Sequence, residues 1–395
     1  MSKLSRRTLF TAAGLGLAAA PLADAQEAPA PAARRHLDLS DYEPRSMLQV
    51  KETHVDRARF PVIDMHAHLT RSKRIVNGVG ISPDRDFDGG PDDVLPMMEA
   101  KNIRALVNLT GGYESGLVET VRRFDKAHPG RFFTFCEPSY SRLLEPGYPK
   151  LQAQNIADAH AAGARGLKIL KTLGLFLRDN ITTGKLITVD DPRFDPMWDA
   201  CGQLGIPVAM HVSDPVAFFL PIDRFNERFE ELNAHPDWSY YDHDFPSNAE
   251  ILAARNRVIA RHPKTQFLTL HVGNFSENLA NVSENLDRFP NMTVEIAARV
   301  AELGRQPRTT GKFFDRYQDR IMFGTDGSPG GDNEYWTKLY EISYRFLETD
   351  DEYFTYSSAR VPGQGRWNIY GLGLPDQILR KVYNENALRL LNEPA

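Results

Sequence analysis

At 395 residues, 42% hydrophobic and 25% charged, the chain has the make-up of a soluble globular protein, long enough for one large α/β barrel or two ordinary domains. A formal charge of −5, a pI near 6.1 and the lack of any Lys/Arg stripe with interleaved aromatics exclude a nucleic-acid partner. Two cysteines, Cys136 and Cys201, build no disulfide framework and are expected as free, buried thiols.

Residues 1–25 read as an export signal rather than as part of the fold. Ser5-Arg6-Arg7-Thr8-Leu9-Phe10 is a twin-arginine pattern, an Ala/Gly/Leu stretch follows, and Ala23-Asp24-Ala25 offers a small-residue cleavage site before Gln26. The apolar run is too short and too rich in Gly and Ala to be a comfortable span. No stable membrane anchor is therefore expected, and twin-arginine export places the mature protein in the periplasm or outside the cell. Residues 26–59 read as a linker and N-terminal extension, and a single domain is expected over 60–392.

The first strand is predicted at Phe60-Pro61-Val62-Ile63-Asp64-Met65, and His66-Ala67-His68 stands at its end. Side chains alternate along a strand, so His66 and His68 point the same way and suit a shared metal ion. Asp64 faces the same interior one layer deeper, as a supporting carboxylate. Further β-prone runs lie at 103–109, 131–136, 163–170, 206–211, 265–271, 292–297 and 320–326. Helical stretches at 92–101, 114–128, 151–161, 195–204, 247–262, 274–288, 332–347 and 375–391 separate or follow them. Eight buried strands alternating with helices predict a (β/α)₈ TIM barrel, and the missing glycine-rich phosphate loop after strand one disfavours a doubly wound sheet. His211 is expected to end strand five, His271 strand six and Asp326 strand eight, on the rim that carries His66 and His68. The long connections 171–194 and 212–246 are expected to shape a substrate pocket. The apolar segment 366–375 is expected to pack under the barrel or between subunits of a homo-oligomer.

Five stretches carry a resemblance: Val62-Ile63-Asp64-Met65-His66-Ala67-His68, Pro207-Val208-Ala209-Met210-His211, Leu268-Thr269-Leu270-His271-Val272-Gly273, Phe323-Gly324-Thr325-Asp326 and the terminal 382–391. Together they resemble the amidohydrolase superfamily, within it the amidohydrolase-related group that includes aminocarboxymuconate semialdehyde decarboxylase. The resemblance implies one divalent metal ion, zinc, held by His66, His68, His211 and Asp326. It also implies that His271 acts on substrate or on metal-bound water. Three neutral imidazoles and a carboxylate suit zinc, which brings the pKa of bound water to about 7. Asp326 is then the general base, and His271 polarises the scissile carbonyl.

Lys168 falls on strand four, where binuclear relatives carry a carboxylated, metal-bridging lysine; unmodified, it anchors a substrate carboxylate or joins an ion pair. Lys171, Arg178 and Arg299 are further candidates for binding a small acidic substrate. The reading reached is a metal-dependent hydrolase of an ester, lactone or amide-type bond in a small molecule. Its alternative is a nonoxidative decarboxylase of an aromatic or enoic acid. A noncatalytic barrel is disfavoured by the complete set of His66, His68, His211, His271 and Asp326.

Overall fold

The computed structural model describes residues 35–38, 41–329 and 333–394; the predicted export signal lies outside them. The chain divides into two units, residues 1–49 and 50–395, and the second contains all the strands and helices named below. No helix among the described residues is long and apolar enough to cross a membrane.

Eight strands form one sheet: β1 Val62–Ala67, β2 Ile103–Asn108, β3 Phe132–Cys136, β4 Gly166–Ile169, β5 Val208–Met210, β6 Phe267–Thr269, β7 Met292–Glu295 and β8 Ile321–Met322. They pair in chain order and in parallel. The backbone just beyond β8 closes the ring onto β1. Met65 N donates to Phe323 O at 3.0 Å, Asp326 N to His66 O at 2.8 Å and His68 N to Gly327 O at 2.8 Å. This is a (β/α)₈ barrel, as the alternation of apolar runs predicts. Runs such as Phe132-Phe133-Thr134-Phe135-Cys136 are buried along their whole length because both sheet faces are covered. Ile63, Met65, Val107, Phe135 and Leu268 fill the barrel, joined by Leu388 of the C-terminal helix.

Helices form close to where the sequence places them: Pro91–Lys101, Tyr148–Ala162, Asp195–Leu204 and Asn248–Arg261. The last begins on a capping box, in which Ser247 accepts from Glu250 N while Glu250 accepts from Ser247 N. Other features depart from the prediction. Strands β5, β6 and β8 stop before His211, His271 and Asp326, so these side chains stand on turns just past the ladder. The helix expected from 274 begins at Leu279, because residues 271–274 take a left-handed turn. Two helices after β7, Val300–Arg305 and Pro307–Arg316, were not expected; the first is short, and the second is amphipathic, burying Thr310, Phe313 and Phe314 on one face. Short antiparallel pairs, Thr70–Ser72 with Arg85–Phe87 and Ile75–Val76 with Val79–Gly80, fill the connection after β1. Segment 366–375 packs within the chain. Its Ile369 is fully buried and exchanges hydrogen bonds with Phe354, and Tyr370 N donates to Gly304 O at 3.1 Å.

Candidate metal centre

The site grows from the end of β1. His66 is fully buried, its Nδ1 3.1 Å from Glu295 Oε1 at the end of β7 and its Nε2 3.1 Å from Asp326 Oδ1. His68 brings Nε2 to the same oxygen at 2.9 Å, while its Nδ1 lies 3.4 Å from Thr110 Oγ1. Asp64 sits beneath them as expected: it accepts from His66 N at 2.9 Å, from Thr325 Oγ1 at 2.6 Å and from Tyr340 at 2.6 Å. Burial pushes the Asp64 carboxyl up to about 6 against these bonds.

Asp326 adopts φ +65°. Burial opposes its ionisation, yet His66 and His68 hold its carboxyl well below the usual carboxylate range. Gly324, two residues earlier, lets β8 pass close by: a Cβ there would meet Glu295 Oε2 at 2.6 Å and His66 Cβ at 3.1 Å. A side chain at 324 would push apart the groups that define the site.

His271 opens a run of four left-handed residues, His271, Val272, Gly273 and Asn274, with φ of 53°, 55°, 66° and 56°. Each non-glycine residue in that region costs about 1–2 kcal/mol, so the turn needs outside support. Glu295 Oε1 accepts from His271 N at 2.7 Å, Asn274 Nδ2 donates to Ser213 O at 2.9 Å, and buried Arg255 donates to Gly273 O. His271 Nδ1 lies 2.9 Å from Ala297 O. A carbonyl can only accept, so Nδ1 carries the hydrogen and Nε2 presents a lone pair. That lone pair faces Asp326 Oδ2 at 4.0 Å and His211 Nδ1 at 3.3 Å. Burial keeps the His271 imidazole well below its ordinary range, hence neutral.

His211 stands behind His271. Its Nε2 is 3.4 Å from Asp214 Oδ1 without forming a hydrogen bond, and burial pushes it down to about 3. Asp214 Oδ2 in turn accepts from Lys171 Nζ at 2.6 Å and Tyr240 OH at 2.7 Å. Lys171 is therefore spent on Asp214. Lys168 differs: its Nζ lies 3.3 Å from His66 Nε2, fully buried, with no carboxylate partner among the described residues. Burial pushes its ammonium down to about 8.

The residues fit a metal ion. Ligands about 2.0–2.1 Å from zinc stand roughly 3.3 Å apart at tetrahedral angles. Asp326 Oδ1 already lies close to that spacing from His66 Nε2 and from His68 Nε2. Ligand atoms of His66, His271 and Asp326 all fall within 4.8 Å of one another. Glu295 holding His66 Nδ1 is the outer carboxylate that frees Nε2 for a cation. His211 reaches this cluster through His271. Arg299 is buried beside it, donating to Ala298 O at 2.7 Å, and its charge helps keep His271 neutral. Arg178 is held by Gly184 O of its own loop at 3.1 Å and by Asp244 of the 212–246 connection at 3.4 Å.

Glu295, Asp214, Tyr240 and Arg85 escaped the sequence reading. Glu295 left a signal, a carboxylate inside the apolar run Met292-Thr293-Val294-Glu295-Ile296; Asp214 left only its place three residues after His211. Two cavities adjoin residues of the site. One of about 370 Å³ is bordered by Asp326 and reached by Trp238 of the 212–246 loop; the other, about 130 Å³, is bordered by Lys168 and Thr110.

Among solved structures, the chain is similar to an uncharacterized TIM-barrel protein from Bordetella bronchiseptica (16% identity, 84% of this chain and 99% of that one, TM-score 0.46). It is similar to 2,6-dihydroxybenzoate decarboxylase from Rhizobium (15%, 84% and 99%, TM-score 0.49). A dihydroxybenzoic acid decarboxylase from Polaromonas, with bound manganese, aligns at 14% identity over 84% and 97%, TM-score 0.49. No curated protein sequence matches the chain. The amidohydrolase family model matches residues 63–392. That span runs from β1 to the C-terminal helix, so the chain belongs to the amidohydrolase family.

Proposed function

We propose that the protein is a metal-dependent carboxy-lyase acting on a small carboxylic acid. The observation that carries this reading is Lys168, a buried amine 3.3 Å from His66 Nε2 with no carboxylate partner among the described residues. The carboxylates around it, Asp326, Glu295 and Glu137, already have other partners: Asp326 has His66 and His68, Glu295 has His66 and His271 N, and Glu137 has Arg85 at 2.9 Å. Decarboxylation needs a group that gives a proton to the carbon losing carbon dioxide; hydrolysis needs one that takes a proton from water. An unmatched ammonium beside engaged carboxylates suits the first task.

His66, His68 and Asp326 would hold one divalent cation, zinc, with the fourth protein ligand drawn from His211 and His271. The cation, when bound, polarises a substrate oxygen. Lys168 binds the substrate carboxylate and orients it. As the bond from carbon to carboxylate breaks, carbon dioxide leaves and the electron pair stays on carbon. A proton from Lys168 Nζ completes the new C–H bond, and solvent reprotonates the amine. Glu295 holds the His66 ring and the His271 backbone, and Asp64 the His66 backbone, throughout.

Hydrolysis of an ester, lactone or amide is the second reading. It is favoured by the His271 Nε2 lone pair, a neutral base within 4.0 Å of Asp326. The test incubates metal-loaded enzyme with hydroxybenzoates, enoic acids, lactones and esters in D₂O and in H₂¹⁸O. Carbon dioxide release with deuterium on the product carbon is expected; ¹⁸O entering the product without carbon dioxide would replace this reading with hydrolysis. Export by the twin-arginine route, proposed from the first 25 residues, is tested by following a fusion to a folded reporter into the periplasm.

A further inference from the structure

The cavity of about 370 Å³ that Asp326 borders has two walls held in different ways. One belongs to the connection after β5, where Glu231 and Trp238 border the space. Buried charge anchors it. Arg228, 2% exposed, donates to Glu231 at 2.8 Å and also to Glu302 of the helix Val300–Arg305, and Arg305 of that helix holds Glu227 at 2.9 and 3.1 Å. Removing one partner of such a buried pair strands a charge, so this wall resists movement.

The other wall is the loop 354–369, which presents Tyr356, Ser357, Ser358 and Gln364 to the same space. Its ends are tied together: Phe354 N donates to Ile369 O at 3.0 Å and Ile369 N to Phe354 O at 2.8 Å, both residues being buried. Beside that pair, Arg305 lies over the Trp367 ring at 3.8 Å. Between its ends the loop bonds to itself. Tyr356 OH donates to Gly365 O at 2.7 Å, Ala359 N to Ser357 Oγ at 3.1 Å and Gly365 N to Pro362 O at 3.2 Å, and the Tyr356 ring stacks on Trp367. Ser358, Ala359 and Arg360 are exposed. A loop with joined ends that packs on its own side chains is an Ω-loop, and such a segment can move as a unit at low cost. Its ties to the rest of the cavity are of the weak kind. Arg366 grips Glu230 at 2.7–3.0 Å with side chains 34% and 40% exposed, and Gln364 Nε2 donates to Ala298 O at 3.3 Å. An exposed pair contributes little and is screened by salt.

We infer that the loop 354–369 is a lid on the large cavity: it swings on the Phe354/Ile369 pair and closes through the Arg366–Glu230 latch onto the anchored wall. Open, it admits a small molecule to the side of the site where Asp326 is exposed; closed, it sheds water from that side. Glu230 stands next to Glu231 on the short helix Phe229–Ala234, so the latch ties the moving wall directly to the fixed one. The lid does not depend on the carboxy-lyase reading, since hydrolysis would use the same access, and its test needs no substrate.

Ser343→Cys puts a thiol inside the cavity, because Ser343 borders it from the helix Asn333–Glu348 and is 1% exposed. Labelling of that thiol by N-ethylmaleimide, followed by mass spectrometry, reads opening, while the fully buried Cys136 and Cys201 report global unfolding in the same sample. Adding Arg366→Gln or Glu230→Gln should speed labelling at position 343 about 2- to 5-fold, and both together should do no more than either alone. Molar sodium chloride should speed the latched protein by a similar factor and leave the latch variants unmoved. Hydrogen exchange is the second reading and needs no new cysteine. Amides of 357–364 should exchange faster in Arg366→Gln, with Phe354 and Ile369 still protected. Labelling that ignores the latch, or that rises in step with Cys136 and Cys201, would overturn the inference. Exchange at Phe354 and Ile369 as fast as at the loop's tip would remove the hinge and the lid with it.

Discussion

The end of β1 and the end of β6 present the same side chain by different physics. His66 lies within the parallel strand β1, in the stretch between Asp64 and Ala67 where the pairing with β2 shifts register, and Asp64 accepts from its backbone N while Glu295 faces its ring. His271 lies beyond its strand, in a left-handed turn that includes the β-branched Val272. The first sits on a paired strand; the second is held by Glu295 of β7 and by Arg255 of the helix Asn248–Arg261. Glu295 joins them, accepting from His66 Nδ1 and from His271 N with one oxygen. The strand carries His66 to the rim and Glu295 orients its ring, whereas at His271 the same buried carboxylate holds the backbone itself.

The sharpest way to break this contrast is Glu295→Ala. It removes the acceptor for His271 N and Ala297 N, both buried, and for the His66 ring. The expected loss is about 3–5 kcal/mol in urea denaturation, with metal affinity lost as well. A fall in metal affinity with unchanged stability would show that the β6 turn holds itself.

A control lies away from the rim. Asp125 bridges onto β3, accepting from Thr134 N at 2.8 Å and Thr134 Oγ1 at 2.6 Å, and these bonds and the Arg165 charge offset its burial only in part. Burial pushes its carboxyl up from 3.8 to about 6. A carboxyl with a raised folded-state pKa binds its proton more tightly when folded. Its contribution is full below pH 4 and declines as pH rises through 6. Asp125→Asn removes that decline, so the variant should gain about 2–3 kcal/mol on the parent between pH 4 and pH 7. Parallel stability curves for the two proteins would contradict this.

Asp214 sharpens the comparison on the β5 side. It stands behind His211 as Glu295 stands behind His66, but His211 is not hydrogen-bonded to it. Asp214→Asn should lower metal affinity about 10- to 100-fold in competition with a chelating dye, with little change in the melting temperature of the metal-free protein. Unaltered affinity would leave His271 as the fourth ligand. The smallest expected effect is at Ala298, left-handed at φ +54° just past β7 and only half-buried. Ala298→Gly should stabilise the protein by about 0.5–1 kcal/mol, read as a modest rise in melting temperature.

The sequence by itself determined the barrel, because runs such as Phe132–Cys136 must be buried on both faces and recur between helices. It also placed His66 and His68, since an alternation of two residues needs no knowledge of distant contacts. It singled out His211, His271 and Asp326 as rim residues of one barrel, and Lys168 on strand four. Tertiary structure decided the rest. It drew His271 close to Asp326 and set His211 behind it, used up Lys171 on Asp214, and left Lys168 unmatched. It also recruited Glu295 from β7 and Arg85 from the connection after β1. These outcomes turn on close approaches between segments far apart in sequence, such as β8 passing Glu295 at Gly324, and on positive φ angles that residues like His271 and Val272 do not choose locally. Periodicity reports which face a residue occupies; which charges meet on that face is settled only when the strands close into a ring.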